Sequence, residues 1–226
     1  MNIKTYLEEN NETLKRWLVD NEQGRIDLKI LPHIQDIENG VFVEAGGLDG
    51  LFMSNTKLLE DLGWKGVLIE PSKLAYDKCV KNRTCSVENC ALVSFDNKDG
   101  FVFGDFNYDG SKGLGARSKI KGSGVKVISK TLTEVLTNLN ITHVDLLSLD
   151  VEGYEIEVLN GINFNTINIE YMLIEVNTDD YTLLDLDNLL LSKGFENIGN
   201  ISNFTPITLP SWPGNHQDYL YKQIIK

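Results

Sequence analysis

The stretch VFVEAGGLDG, residues 41–50, decides the fold. Its three leading apolar residues predict a short buried strand that ends at Glu44 and runs directly into a glycine-rich turn. Glycine tolerates positive φ and lets the backbone come close to a ligand. A strand followed by such a turn is typical of the first unit of an open α/β sheet, in which ligands bind beyond the carboxyl ends of the strands.

The residues that follow extend this strand into a βαβ unit. Ser54 is the expected N-cap of a helix that continues to about Leu62 and is closed by Gly63. A second apolar run, residues 66–69, predicts the next strand, and Pro71 stands at the start of the following helical stretch, where proline is tolerated. Two strands joined by a helix in this way are expected to lie parallel.

The rest of the chain repeats this alternation. Strands are predicted at about 84–94 in two short pieces, and at 101–104, 125–128, 144–149, 170–176 and 217–224. Helices are predicted at about 4–20, 131–139, 153–160 and 182–193. The fold class is therefore α/β, with a mostly parallel sheet covered by helices on both faces. We expect a single domain over residues 1–226, with a helical lead-in over 1–38 and a core over 40–222.

Residues 105–126 interrupt the alternation. This segment is rich in Gly, Ser and Lys, and it is too long for a simple connection, so a functional or mobile loop is expected. Its basic side chains could close over an anionic or glycan acceptor, or could simply be solvated. They are Lys112, Arg117, Lys119, Lys121 and Lys126.

Composition excludes several classes of protein. The 226 residues carry a net charge of −12, which disfavours a nucleic-acid partner. No apolar run is long enough to span a bilayer, and the N-terminus lacks the layout of a signal peptide, so a cytoplasmic protein is expected. The spacing of Cys79, Cys85 and Cys90 matches neither a zinc site nor a disulfide framework, which favours reduced structural thiols.

The charge of the glycine turn indicates its ligand. Glu44 and Asp49 flank the glycines, and the GxGxxG spacing of a dinucleotide site is absent. Carboxylates would repel a pyrophosphate but attract the ammonium and sulfonium groups of S-adenosylmethionine. Glu70 ends the second strand, where such folds place an acid that binds ribose hydroxyls. The turn therefore favours S-adenosylmethionine, with an NAD-dependent oxidoreductase as the alternative.

A family resemblance supports this interpretation. Residues 144–161, VDLLSLDVEGYEIEVLNG, resemble the hallmark of the FkbM family of S-adenosylmethionine-dependent methyltransferases, and residues 41–50, 63–71 and 218–221 resemble it as well. The resemblance covers about residues 40–222 but neither the first 35 residues nor the 105–126 loop. It implies the Rossmann-like class I methyltransferase fold, a seven-stranded sheet with an antiparallel last strand. It also implies O-methylation, largely of sugars and related natural products.

The resemblance also assigns candidate site residues. Cofactor contacts would fall on Glu44, Gly46, Asp49, Gly50, Glu70 and Asn89. Many family members have Asp in place of Glu44, which keeps the charge. Asp150 and Glu152 would face the reaction. The remaining candidate cofactor contacts are Gly47, Asn55, Pro71, Ser72, Cys90 and Asp150.

Methyl transfer to an alcohol needs alignment and a base. Asp150 and Glu152 follow a strand that is predicted to be buried, and either could take the proton, although Glu152 could instead be an acid that favours a helix N-terminus. His216, just before the last strand, has a pKa range suited to a base, but a lone loop histidine is more often merely exposed.

Several alternatives stay open. Asp150, Glu152 and Glu175 could converge on a divalent ion such as Mg²⁺, so metal dependence is possible without being required. The acceptor could be a molecule other than a sugar, or the chain could be an inactive cofactor-fold module that serves as a partner surface. The sequence indicates neither the acceptor nor the oligomeric state.

Overall fold

A computed structural model describes residues 2–9, 25–97, 99–108, 120–205 and 214–224. Within these ranges the helices are α1 (Ile3–Glu9), α2 (Ile26–Ile34), α3 (Lys57–Asp61), α4 (Lys73–Asn82), α5 (Leu132–Asn138), α6 (Glu155–Leu159) and α7 (Leu183–Ser192). The strands are β1 (Val41–Ala45), β2 (Lys65–Ile69), β3 (Ser86–Glu88), β4 (Ala91–Leu92), β5 (Phe101–Gly104), β6 (Ile120–Lys121), β7 (Val125–Lys130), β8 (His143–Leu149), β9 (Asn168–Asn177), β10 (Phe195–Asn200) and β11 (His216–Gln223).

The main sheet has seven strands in the order β10-β11-β9-β8-β1-β2-β3. Strands β1, β2, β3, β8 and β9 pair in parallel, whereas β11 runs antiparallel to both of its neighbours, β9 and β10. The order reverses beside β1, where the chain leaves β2 and β3 on one side and returns as β8 on the other. The expected seven-stranded sheet with an antiparallel last strand is confirmed.

Helices cover both faces of this sheet, as a mostly parallel sheet requires. One face packs against α2, whose Ile30 and Leu31 join Phe42 of β1 in a buried cluster. The other face packs against α5, α6 and α7 through residues such as Val158 and Leu190. The central strand β8 is buried on both sides, since all of its residues after His143 are buried.

A smaller sheet is inserted between β3 and α5. Its order is β4-β7-β5-β6, and β5 pairs antiparallel with both β6 and β7. Two of the predicted strands, 101–104 and 125–128, therefore belong to this insertion. Residues 109–119 lie outside the described residues, and with them Lys112, Arg117 and Lys119 of the basic loop. Lys126 is described, with its Nζ atom 3.6 Å from the centroid of the Phe101 ring.

Two differences from the sequence expectations concern the ends of the chain. Strand β10 was not predicted, because FENIGN is mostly polar and its pairing with β11 shifts register between Asn197 and Gly199, which hides the two-residue period. The helix expected over 4–20 is described only up to Glu9, and residues 10–20 lie outside the described ranges.

Two helices begin later than expected. Helix α3 begins after Thr56, and Ser54 still accepts a hydrogen bond from the Lys57 amide (3.1 Å). Helix α6 begins at Glu155 because Glu152 and Gly153 adopt positive φ, 59° and 93°.

The structure also bears on the expectations for the cysteines and for membrane-spanning helices. Cys79, Cys85 and Cys90 are free thiols. None of the helices described is both long enough and apolar enough to pass through a membrane.

Gly66 provides a test of the close packing of β1 against β2. It pairs in register with Phe42, and a β-carbon at position 66 would overlap the Phe42 carbonyl oxygen and ring. We expect Gly66→Ala to lower the free energy of unfolding by about 1–3 kcal/mol in urea denaturation. The control is Gly122→Ala, where nothing lies within 4 Å of the added carbon. Equal unfolding midpoints for the two variants would contradict this packing.

Candidate active site

The carboxyl edge of the main sheet brings acidic side chains onto one face. Glu44 of β1 pairs in register with Ser148 of β8, and Asp150 follows two positions later. Side chains two positions apart in a strand point to the same face. Leu68 of β2 pairs with Glu44, and Leu173 of β9 pairs with Ser148. Glu70 and Glu175 follow these two leucines by two positions and so point to the same face. The acids therefore face the side of the sheet that packs against α2.

The glycine turn after β1 is held tightly between β2 and β8. The Gly46 amide donates to the Ile69 carbonyl (3.1 Å), and the Asp150 amide donates to the Ala45 carbonyl (3.1 Å). Gly46 has a φ of 91°, and a β-carbon there would overlap the Asp150 carbonyl oxygen. Only glycine can occupy this position, and the turn consequently lies beside Asp150. Gly50 also has positive φ, 84°.

Glu44 supports the turn from behind. Its carboxylate accepts hydrogen bonds from Ser54 Oγ (2.8 Å), the Asn55 amide (2.9 Å) and Thr56 Oγ1 (2.6 Å). It also forms an ion pair with Arg83 Nη1 (3.2 Å), and both side chains are buried. Glu44 is therefore bonded to the loop that follows the turn and to Arg83, the residue after α4, and in this way it anchors the turn. A direct contact between Glu44 and a cofactor stays a prediction.

Arg83 is a site residue that the sequence did not reveal. Its guanidinium also donates to the Gly50 carbonyl (3.1 Å) and pairs with Glu60 through Nε. Burial opposes ionisation of Glu60, but hydrogen bonds from Thr84 and Arg83 outweigh it and lower the Glu60 pKa to about 2. No local pattern could mark Arg83, because its acidic partners lie 23 and 39 positions away.

Glu70 has the chemistry expected of a ribose-binding acid. Its side chain is fully buried, and it accepts hydrogen bonds from the Leu48 amide (3.0 Å), the Ser72 amide (2.7 Å) and the Tyr108 hydroxyl (2.6 Å). Burial raises the Glu70 pKa to about 7 against the opposing effect of these hydrogen bonds. A ribose hydroxyl would be a donor of the same kind as Tyr108, so Glu70 fits the adenosine end of S-adenosylmethionine.

Other predicted cofactor residues shape the turn after β2. Asn89 Nδ2 donates to the carbonyls of Glu70 (2.8 Å) and Pro71 (3.0 Å). Ser72 is the N-cap of α4, and its hydroxyl donates to the Tyr108 carbonyl. The structure thus places these residues around the strand-end acid, and their contact with a cofactor stays a prediction.

Asp49 and Asn55 stabilise the loop between β1 and α3. Asp49 Oδ1 accepts hydrogen bonds from the amides of Leu51 (2.9 Å) and Phe52 (2.8 Å). Asn55 Nδ2 donates to Ser148 Oγ (3.0 Å) and so ties the loop to β8. Of the two acids of the glycine turn, Glu44 pairs with Arg83. The other acid, Asp49, is half-buried and is not part of that ion pair.

Two further candidates lie inside the protein. Gly47 is buried, and its amide donates to the Ile69 carbonyl (3.4 Å). Cys90 is fully buried in the apolar core, and burial raises the pKa of its thiol to about 12. A thiol in these surroundings packs as a small apolar side chain.

Asp150 is the acid that is best placed for chemistry. Its side chain is exposed, and one of its carboxylate oxygens lies within 4.8 Å of oxygens of Glu155 and Glu175. Dense protein surroundings raise the Asp150 pKa well above its usual value, and repulsion from Glu175 and then Glu152 adds to the shift. Because Asp150 is open to solvent, screening weakens both causes, and the direction of the shift rests on the nearness of the Glu155 and Glu175 carboxylates.

The structure corrects the acidic cluster predicted from the sequence. Glu155, not Glu152, joins Asp150 and Glu175 in it. Glu155 is fully buried, and its Oε1 atom accepts hydrogen bonds from the Val151 (2.9 Å) and Gly153 (3.1 Å) amides, while no hydrogen bond reaches Oε2 from the described residues. Glu152 is half-buried at positive φ, and the charge of its carboxylate contributes to the raised pKa of Asp150.

His216 lies at the same edge of the sheet. It is the first residue of β11, opposite Asn177, and it is two positions before Asp218, which pairs in register with Glu175. It therefore shares the face of the acids. Its ring packs edge-on against Phe204 at 5.7 Å between centroids. The role of His216 as a base stays a prediction.

Comparison with protein families identifies the fold and the activity class. The sequence matches the methyltransferase FkbM domain over residues 44–196, more than half of the chain. The chain belongs to this family. It is an S-adenosylmethionine-dependent methyltransferase, and the turn, Glu70 and Asp150 all lie in or beside the matched region. A search among curated proteins finds no match.

Solved structures with the same fold include other methyltransferases. A TehB-like S-adenosylmethionine-dependent methyltransferase from Corynebacterium glutamicum is 10% identical, with a TM-score of 0.50, and the match covers 97% of this chain and 98% of that one. One from Aquifex aeolicus has the same identity and TM-score, with 95% and 98% covered. The TrmK protein of M. capricolum, solved with S-adenosylhomocysteine, is 11% identical with a TM-score of 0.50, and 89% and 68% are covered. These likenesses concern the fold alone.

The ion pair between Glu44 and Arg83 can be tested through the stability of the methyltransferase. Glu44→Gln removes one charge from a buried network and leaves Arg83 under-compensated, so we expect a loss of about 3 kcal/mol in the free energy of unfolding. The control is Lys57→Met in the pair with Asp61, whose side chains are 29% and 59% exposed. That variant should lose less than about 1 kcal/mol. Similar losses in the two variants would rule out Glu44 as the anchor of the turn.

Proposed function

We propose that this methyltransferase methylates a hydroxyl oxygen, of a sugar or glycan, with Asp150 as the base. The observation that carries the proposal is the position of Asp150, which is exposed, lies beside the Gly46 turn and has a raised pKa. S-Adenosylmethionine supplies an electrophilic methyl group when it is bound. An alcohol must lose its proton as it accepts that group, and a carboxylate with a raised pKa is the better base for this step.

The cofactor would be held along the carboxyl edge of β1 and β2. Gly46 and Gly50 provide backbone that a ligand can approach closely, and Glu70 provides the acceptor for ribose hydroxyls. Asp49 and Asp150 supply negative charge near the expected sulfonium and ammonium groups. Arg83 neutralises Glu44, so the electrostatic preference for a cation rests on these other acids.

The choice of a hydroxyl acceptor follows from the acids and from the family. Family members are largely associated with O-methylation of sugars and related products, and a cluster of carboxylates suits proton removal from an alcohol. The net charge of −12 disfavours a nucleic-acid acceptor. The single-domain organisation and the cytoplasmic location expected from the sequence stay predictions.

A divalent ion such as Mg²⁺, held by the same acids, is the alternative to Asp150 as the base. The carboxylate oxygens of Asp150, Glu155 and Glu175 lie within 4.8 Å of one another, which suits the hard oxygen coordination that Mg²⁺ prefers. Glu155 adds a buried oxygen that accepts no hydrogen bond from the described residues. With an ion held there, Asp150 would be a ligand with a lowered pKa and not the base, and the ion itself would make an acceptor hydroxyl lose its proton more readily.

The role of Asp150 can be tested with Asp150→Asn. Transfer of labelled methyl groups to a panel of glycans and small alcohols should fall on the order of 100-fold or more, because a positioned base contributes about that much. Calorimetric titration with S-adenosylhomocysteine should show that binding is mostly kept, with only a severalfold loss, because Asp49 and Glu70 remain while one charge near the ammonium group is removed. Glu157→Gln, on the neighbouring helix α6, is the matched control and should keep its turnover.

Three results would contradict this assignment. Full turnover in Asp150→Asn would exclude it as the base. Binding of S-adenosylhomocysteine without methylation of any hydroxyl compound would exclude the acceptor class but leave the cofactor in place. Tight binding of NAD with none of S-adenosylhomocysteine would instead favour an oxidoreductase.

Metal dependence can be measured apart from activity. We expect Mn²⁺, a probe for Mg²⁺, to give an electron paramagnetic resonance signal of bound ion in the protein without cofactor, and a chelator to lower turnover. Glu155→Gln should weaken Mn²⁺ binding at least about tenfold, whereas Glu157→Gln should not. Unchanged turnover with chelator, together with a spectrum of free Mn²⁺ only, would remove the ion from the proposal.

A further inference from the structure

Residues 105–108 are docked against the adenosine end of the expected cofactor site. Phe106 is buried in the small apolar cluster of the inserted sheet, which anchors the segment. Two residues later, the Tyr108 hydroxyl donates to Glu70 (2.6 Å), and the Tyr108 carbonyl accepts a hydrogen bond from Ser72 Oγ. Glu70 and Ser72, two polar residues expected to serve the cofactor, are therefore both engaged by one tyrosine of the insertion.

The three donors to Glu70 differ in how easily they can leave. The Leu48 amide belongs to the glycine turn, and the Ser72 amide belongs to the N-cap residue of α4, so moving either would disturb the fold. The Tyr108 hydroxyl is on a side chain, and it can be withdrawn by rotation about side-chain bonds. It is also a neutral hydroxyl, the donor that a ribose would present to the same carboxylate.

We propose that the Tyr108 hydroxyl makes the hydrogen bond to Glu70 that a ribose hydroxyl of the cofactor would make, and that the cofactor binds by displacing the Tyr108 hydroxyl. This inference rests on the proposed cofactor contact of Glu70. Exchange of one hydroxyl for another keeps the buried carboxylate hydrogen-bonded before and after binding, which avoids the cost of an unsatisfied buried group. The affinity for cofactor is then reduced by the fraction of molecules in which Tyr108 occupies Glu70.

The test is the affinity of Tyr108→Phe for S-adenosylhomocysteine and for adenosine, measured by calorimetry. The variant keeps the ring but loses the competing donor, so we expect both ligands to bind about tenfold more tightly than in the wild type. Tyr76→Phe is the matched control on α4 and should leave both affinities unchanged. Urea unfolding of both variants verifies that they fold. Tyr108→Leu, which removes ring and hydroxyl, should also bind more tightly.

The outcomes separate the two proposals. Binding that is equal or weaker in Tyr108→Phe, while the wild type binds S-adenosylhomocysteine, would overturn the displacement by showing that the hydroxyl does not compete or contacts the ligand itself. If neither the wild type nor the variant bound S-adenosylhomocysteine or adenosine, the cofactor role of Glu70 would fall, and this inference with it.

Discussion

The close approach of Gly46 to the Asp150 carbonyl is the constraint on which the site depends. A side chain at position 46 would force the end of β1 away from the end of β8, and the hydrogen bond from the Asp150 amide to Ala45 would be lost. With glycine, the cofactor turn and the acid that follows β8 become neighbours at the reversal of strand order. In the proposed reaction, the methyl donor beside the turn and Asp150 as the base would thereby meet at one edge of the sheet.

Two acids at strand ends illustrate how surroundings determine a role. Glu44 is buried with a permanent cation, Arg83, and three further donors, so its charge is satisfied within the protein. Glu70 is buried with neutral donors, and its pKa rises to about 7. A buried carboxylate that has a cation as its partner stabilises the fold. Glu70 has no cationic partner among its three donors, and one of them, the Tyr108 hydroxyl, is exchangeable, so in our proposal this carboxylate is available to a ligand.

The local pattern predicted the sheet and the glycine turn, because alternating apolar runs and glycines act within a few residues. The residues that it missed depend on distant partners. Arg83 meets Glu44 and Glu60 through tertiary packing, and Tyr108 reaches Glu70 from an insertion 38 positions away. Glu155 was overlooked because Glu152 and Gly153 turn out of helical geometry, which shifts the helix and brings Glu155 to the cluster.

Acidic side chains lie close together at the edge of β8, β9 and β11. Like charges on neighbouring strands repel, and Asp150 adjoins Glu175, which faces Asp218 across the next pair. Burial raises the Asp218 pKa to about 6 against the attraction of Lys29. For Asp150, repulsion from Glu175 adds to the effect of its surroundings, so a proton on Asp150 relieves part of that repulsion. A cation bound at this edge would favour the ionised carboxylates and release that proton. In the proposed site, the repulsion around Asp150 would therefore favour a positively charged ligand.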